Sequence, residues 1–339
     1  MFKKMKKFLK ILIVLILIIA IFYLTNKLLT PKYMDTLVEG SMISQYYKEE
    51  KNHEVIFIGD CEVYANFSPM VIYEETGITS YVRGSSQQLL WQSYYILEET
   101  LKYEKPKVVV FNVNAMRYDK PVSEAYNRLT LDKMKWSKQK YEMIKASMTE
   151  EENMLSYIFP ILRYHSRFGQ LTKEDFEYLF KEKKNTFNGF LINKNVKPVE
   201  SLPTMRKLSN YQFSEITYEY LDKITNLCKE NDIELVLIKA PSVYPFWYDE
   251  YDKQIENYAN ENELKFINFL GNVEEIGIDY TQDTYDSGLH LNLYGATKLS
   301  KYFAKILQEE FNLTDFRKNE EVNKIYQNRL EEYHKETGL

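Results

Sequence analysis

The chain has 339 residues, a formal net charge of −5 and 45% hydrophobic residues. That length holds one large domain or two average ones. So mild a charge, with no basic stripe beyond the N-terminus, speaks against a nucleic-acid partner. The two cysteines, Cys61 and Cys228, form no disulfide framework, and a bridge between them would bury a strand-end thiol against a helix. The 29 tyrosines and 19 phenylalanines suit stacking on sugar or peptide polymers, although an AT-rich codon bias explains the same excess.

The N-terminus locates the protein. Lys3, Lys4, Lys6, Lys7 and Lys10 precede an apolar run over 11–24. With Phe8 and Leu9 the run reaches the roughly 20 residues that cross a bilayer. Its basic flank predicts a cytoplasmic N-terminus and an extracytoplasmic body. No small-residue cleavage site follows Ala20, which favours an uncleaved signal anchor over a signal peptide. Residues 1–30 are therefore expected as basic stub and transmembrane anchor, and 31–52 as a polar stalk.

The body then alternates. A hydrophobic strand at 54–58 stops at Gly59-Asp60, and Ser68-Pro69 starts a helix over 70–76. A second strand covers 78–82. Residues 87–103 form an amphipathic helix with Leu90, Tyr94, Leu97 and Leu101 on one face. The β-branched run 107–113 reads as a buried parallel strand. Strands alternating with helices predict an α/β protein with a parallel sheet and helices on both faces. The pattern breaks over 117–214, where helical stretches and loops predict an inserted, mainly helical subdomain. It resumes with a helix at 215–231, where Cys228 is a plain helix-face residue, and a strand at 234–238. Further elements are a helix at 251–262, a strand at 264–269 and a helix at 293–311. Residues 313–339 read as a charged, peripheral tail. There is no internal repeat, glycine-rich phosphate loop or metal-ligand spacing.

Two segments carry chemistry. Gly59-Asp60-Cys61 places a thiol where the first strand ends, and Asp286-Ser287-Gly288-Leu289-His290 brings an acid and a histidine late in the chain. A nucleophile, a base and a carboxylate that orients the base are the parts of a covalent hydrolase or acyltransferase. Asp283 is a reserve orienter. Asp60, Arg83, Arg163 and His165 are candidate substrate contacts.

This order of motifs resembles the SGNH/GDSL hydrolase superfamily. Gly59-Asp60-Cys61 matches its first block, with Cys in place of Ser. Gly84, in Val82-Arg83-Gly84-Ser85, matches the glycine of the second. Asn114, in Asn112-Val113-Asn114, matches the asparagine of the third. Asp286 and His290, followed by Leu291-Asn292 and Gly295, match the last block, with the histidine four positions after the acid instead of three. The resemblance covers about 54–113 and 234–308. It implies a three-layer α/β/α sandwich split into 53–116 and 215–312, with 117–214 inserted.

It also implies roles: Cys61 as nucleophile, His290 as base, Asp286 as its orienter, and Gly84 and Asn114 as oxyanion donors. No metal or other cofactor is implied. Membrane-anchored members, similar to the D-alanyl transfer and alginate acetylation proteins, imply acyl ester chemistry on an envelope or exported polysaccharide. They also imply a multi-spanning membrane O-acyltransferase as partner. The cysteine and the stretched spacing keep open a binding or scaffold protein with a degenerate site. A thioesterase or cysteine peptidase-like activity uses the same residue set, but the chain order argues against a papain-type fold.

Overall fold

The computed structural model describes residues 2–31, 38–121, 123–181, 184, 186–202 and 204–339. The principal elements, in chain order, begin with α1 (Phe2–Leu29), β1 (Val55–Gly59), α2 (Cys61–Asn66), α3 (Pro69–Thr76), β2 (Ser80–Gly84), α4 (Leu90–Thr100) and β3 (Val108–Asn112). Five helices follow: α5 (Glu124–Leu131), α6 (Lys138–Ser147), α7 (Met154–Ile158), α8 (Ile161–Tyr164) and α9 (Lys173–Phe180). The last group is α10 (Glu215–Glu230), β4 (Glu234–Lys239), α11 (Asp249–Asn262), β5 (Lys265–Asn268), α12 (Leu293–Glu310) and α13 (Glu320–Thr337). By contacts the chain forms two units, Met1–Ser41 with Glu150–Lys184, and Met42–Thr149 with Asn185–Leu339.

The second unit is the expected α/β sandwich. Its five strands are all parallel and lie in the order β2-β1-β3-β4-β5. Strands β1, β2 and β3 are buried along their whole length, so side-chain alternation feeds two cores instead of one core and solvent. Val55, Phe57, Val108, Val110 and Val236 face a core closed by α2, α3, α12 and α13. Ile56, Ile58, Val109, Phe111 and Leu235 face the other, closed by α4, α10 and α11.

Three expectations change. Residues 42–52 are not stalk: Met42, Ile43 and Tyr46 are buried in the second unit, because the Arg83 guanidinium lies 3.7 Å over the Tyr46 ring. The stalk's residues 32–37 lie outside the described residues. The C-terminal segment is not peripheral either. Within its charged surface, α13 carries Tyr326, Leu330 and Tyr333 at helical spacing, and Tyr326 stacks on Tyr73 with ring centroids 4.1 Å apart. Finally, 117–214 is not one body. Helices α5 and α6 pack beside α4, where Trp91 Nε1 and Gln92 Nε2 each donate to Ser147 Oγ at 3.1 Å. The stretch after 185 runs along the free edge of β2, with Val82 N–H donating to Asn188 O at 2.8 Å. Only Glu150–Lys184 separates, and it groups with α1.

In the first unit, α1 contains a 27-residue stretch, Lys3–Leu29, whose most apolar 18 residues have a mean hydropathy of 2.9. It is long and apolar enough to span a membrane.

Tyr326→Ala removes a fully buried ring from the core under α13. Chemical denaturation of the full chain in detergent should show a loss of about 3–5 kcal/mol, the scale of buried aromatic truncation. A peripheral helix would lose almost nothing.

Candidate active site

In an open parallel sheet, ligands meet the carboxyl ends of the strands where the winding reverses. Here that point lies between β1 and β3, and both strands end in site residues. β1 runs into α2, whose first residue is Cys61. Sequence reading stops the strand correctly but misses this six-residue helix, because its start signal is Asp60 alone. The Asp60 carboxylate caps it, accepting from Glu62 N–H at 3.2 Å. Gly84 at the end of β2 lets α2 sit this close, since a Cβ there would lie 2.5 Å from Val63 Cγ2.

His290 approaches from the loop before α12. Asp286 grips it twice: Oδ1 accepts from His290 N–H at 2.8 Å, and Oδ2 meets Nδ1 at 2.6 Å. The loop absorbs its extra residue by turning through two consecutive left-handed conformations, Ser287 at φ 63° and Gly288 at φ 93°. A Cβ on Gly288 would also come within 2.8 Å of Val243 and Val199. Tyr285 stacks on the His290 ring at 5.6 Å. Asp283, the reserve orienter, is buried elsewhere, bonded to Lys298 Nζ at 2.6 Å and Asp279 N–H at 2.8 Å.

Nδ1 is taken by Asp286, and His290 is close enough to Cys61 to act on the thiol. Burial pushes the Cys61 thiol above its ordinary value, the Asp60 carboxylate adds to this, and the His290 bond pulls the other way. For His290, burial opposes the charged ring, but the bonds to Asp286 and Cys61 outweigh it and raise the ring to about 11. The coupling to Asp286 and Cys61 makes the ring a stronger acceptor for the thiol's proton.

Under the thiol lies a buried polar network. Glu62 pairs with Lys239 Nζ, both carboxylate oxygens at 2.9 Å. Lys239 also donates to Ala240 O at 2.6 Å and Ser242 Oγ at 3.1 Å. Asn112 Nδ2 bridges Asp60 Oδ1 at 3.1 Å and Glu62 Oε2 at 2.9 Å. Asn114 Nδ2 donates to Asp60 Oδ2 at 2.6 Å, while its Oδ1 is buried without a partner. Burial, and then the neighbouring Glu62, push the Asp60 carboxyl up.

Several expected substrate contacts have other work. Asp60 is a buried helix cap. Arg83 is 1% exposed, on the face away from the thiol, and is bonded to Glu99 at 3.2 Å and Thr100 at 3.1 Å. A guanidinium alternating with core residues on a strand reads as substrate-binding in sequence and as a buried ion pair in structure. Arg163 and His165 belong to the first unit, not the unit that holds Cys61. Gly84 and Asn114 sit at the ends of β2 and after β3, flanking the thiol's strand.

Sequence reading missed three residues. Asn66 joins α2 to the histidine loop, accepting from Leu291 N–H at 2.9 Å and donating to Pro241 O at 3.3 Å; nothing in its spacing marks it. Lys239 does carry a signal, a lone charge closing an apolar parallel strand. Arg117 donates from Nε to Asn114 O at 3.3 Å, and its Nη2 is buried without a partner. It opens a cavity of about 680 Å³ walled by Tyr118, Arg206, Tyr244, Phe246 and Tyr251. The Tyr244 N–H reaches Gly288 O at 3.4 Å, so this cavity adjoins both loops of the site.

No family model and no curated protein matches the chain. Among solved structures it is similar to the crystal structure of a candidate acylhydrolase from Bacteroides fragilis, at 12% identity and a TM-score of 0.37. That match covers 78% of this chain and 94% of the other.

Two outcomes follow from the site's geometry. Lys239→Met strands a buried carboxylate and should cost about 3–5 kcal/mol in chemical denaturation, with Glu62→Gln in the same chain recovering most of it. Iodoacetamide labelling of Cys61 should rise with pH through a midpoint above the 9.0 of a free thiol. A raised thiol is mostly protonated below its midpoint, so labelling is slow at neutral pH. His290→Ala removes a lowering contact and should move the midpoint higher; a midpoint below 9.0 contradicts the reading.

Proposed function

We propose that this protein is an acyl ester hydrolase or O-acyltransferase that works through a Cys61 thioester. The observation that carries the reading is the continuous line Cys61–His290–Asp286 at the reversal point of the sheet, with the Asp286–His290 contact at 2.6 Å. The Cys61 thiol gives its proton to His290 and attacks the ester carbonyl. The tetrahedral oxyanion is held by the Gly84 N–H and the Asn114 amide. The acyl–oxygen bond breaks, the alcohol leaves with the proton from His290, and a thioester remains. His290 then takes a proton from water or from an acceptor hydroxyl, which attacks the thioester and regenerates the thiol.

The acceptor side of this reading is the 680 Å³ cavity, whose tyrosines suit a sugar ring and whose arginines suit an anionic substituent. With α1 as an uncleaved anchor and the body outside the cytoplasmic membrane, the substrate is an envelope or exported polysaccharide. A multi-spanning O-acyltransferase is the proposed membrane partner, as donor of the acyl group.

A second reading is favoured by two observations. Asn114 Nδ2 is turned to Asp60, and burial pushes the thiol up, which suits a fold kept for glycan binding without turnover.

Intact-mass spectrometry of the full chain after incubation with p-nitrophenyl acetate separates the two. One acetyl adduct on Cys61, lost in Cys61→Ala and slowed in His290→Ala, supports the enzyme. Asp286→Asn should slow turnover on the order of 10⁴-fold. An unmodified Cys61, or modification indifferent to His290, would sink it in favour of binding.

A further inference from the structure

We propose that residues 150–181 form an interfacial collar that inserts apolar side chains into the lipid bilayer around the end of α1. This rests on the reading of α1 as a membrane anchor. The collar belongs to the same unit as α1 and is bonded along its last two turns. The rings of Phe22 and Phe159 meet edge to face at 5.8 Å. Asn26 Oδ1 accepts from Ile161 N–H at 2.8 Å, Lys27 Nζ donates to Leu179 O at 2.9 Å, and Arg167 Nη1 donates to Leu29 O at 2.6 Å.

These contacts fix depth. Phe22 lies inside the apolar run, and Lys27 is the first charge after it. At 1.5 Å rise per residue, Phe22 sits roughly 10 Å below Leu29 along the helix. A ring touching Phe22 is therefore below the level at which the chain leaves the hydrocarbon. A carbonyl bonded to Lys27 marks the headgroup boundary.

The collar's surface fits that placement. Leu155, Ile158, Phe159 and Leu162, on α7, α8 and the turn between them, are all exposed. Phe176 and Phe180 share one face of α9, and Phe180 is 89% exposed. So many large apolar side chains gathered on some 30 residues do not face water without reason. Lys173 is paired with Glu177 at 3.1 Å, so the case for this surface rests on its apolar side chains. This is the composition of a segment that lies in the interface with its apolar face about 5–10 Å deep. A protein partner or a second copy would cover the same face, but the bonded contact with α1 at the end of its apolar run favours lipid.

The test places a nitroxide amino acid singly at positions 18, 162, 180 and 229 of the full chain. The protein is reconstituted in vesicles of phosphatidylethanolamine and phosphatidylglycerol, and collision rates with oxygen and with a nickel chelate are compared. The oxygen-to-nickel ratio at 162 and 180 should rise several-fold over that at 229, which replaces the exposed Lys229, and approach that at 18. If position 18 reads hydrocarbon while 162 and 180 match 229, the collar is overturned and the anchor stands. If position 18 reads water, the anchor reading itself fails. If 162 and 180 are screened from both reagents, a second copy covers the face and the lipid assignment is overturned.

Discussion

Two carboxylates, Asp60 and Glu62, are buried at the carboxyl end of β1, and each must be met there. An unpaired buried charge costs several kcal/mol, so the positions around them are constrained. Lys239 neutralises Glu62, Asn112 bridges the two acids, and Asn114 closes on Asp60. The residues involved end β1, β3 and β4, so the network also pins three strands to one another at the edge where the thiol sits. Cys61 is held between these acids in sequence, yet Glu62 is spent on Lys239. The carboxylate that bears on the sulfur most is Asp60.

The histidine loop is tied to the same edge by different means. Asn66 carries α2's far end to Leu291, and Val243 N–H, after β4, reaches Gly288 O at 2.6 Å. These contacts place the imidazole against the sulfur without any residue of the loop entering the sheet. They also make the four-residue acid-to-histidine interval workable. With Ser287 and Gly288 turned left-handed, the backbone doubles back and one carboxylate reaches both the N–H and the ring of His290.

The α/β class, the five strands and the parallel order were legible because buried parallel strands are short β-branched runs punctuated by Gly, Asp and Pro. Cys61 follows such punctuation at Gly59-Asp60, and Asp286 and His290 stand two residues either side of Gly288. What was not legible depends on partners far away in sequence. Arg83 reads as a cation near the site until Glu99 and Tyr46 surround it. Residues 313–339 read as tail because two of every three side chains are polar, and only the spacing of Tyr326, Leu330 and Tyr333 betrays the buried face. The exposed apolar residues of 150–181 look like ordinary helix faces until α1 is found bonded beside them.

The sequence by itself determined the layer architecture, the apolar helix α1 and the identity of the side chains that meet at the candidate site, since these follow from local hydropathy period and residue type. Only the tertiary structure decided which acid orients His290, that Asp60 and Arg83 are structural, and that 117–214 divides. Those outcomes depend on which buried charges meet across the sheet, and burial is a property of the packed chain that no local window contains.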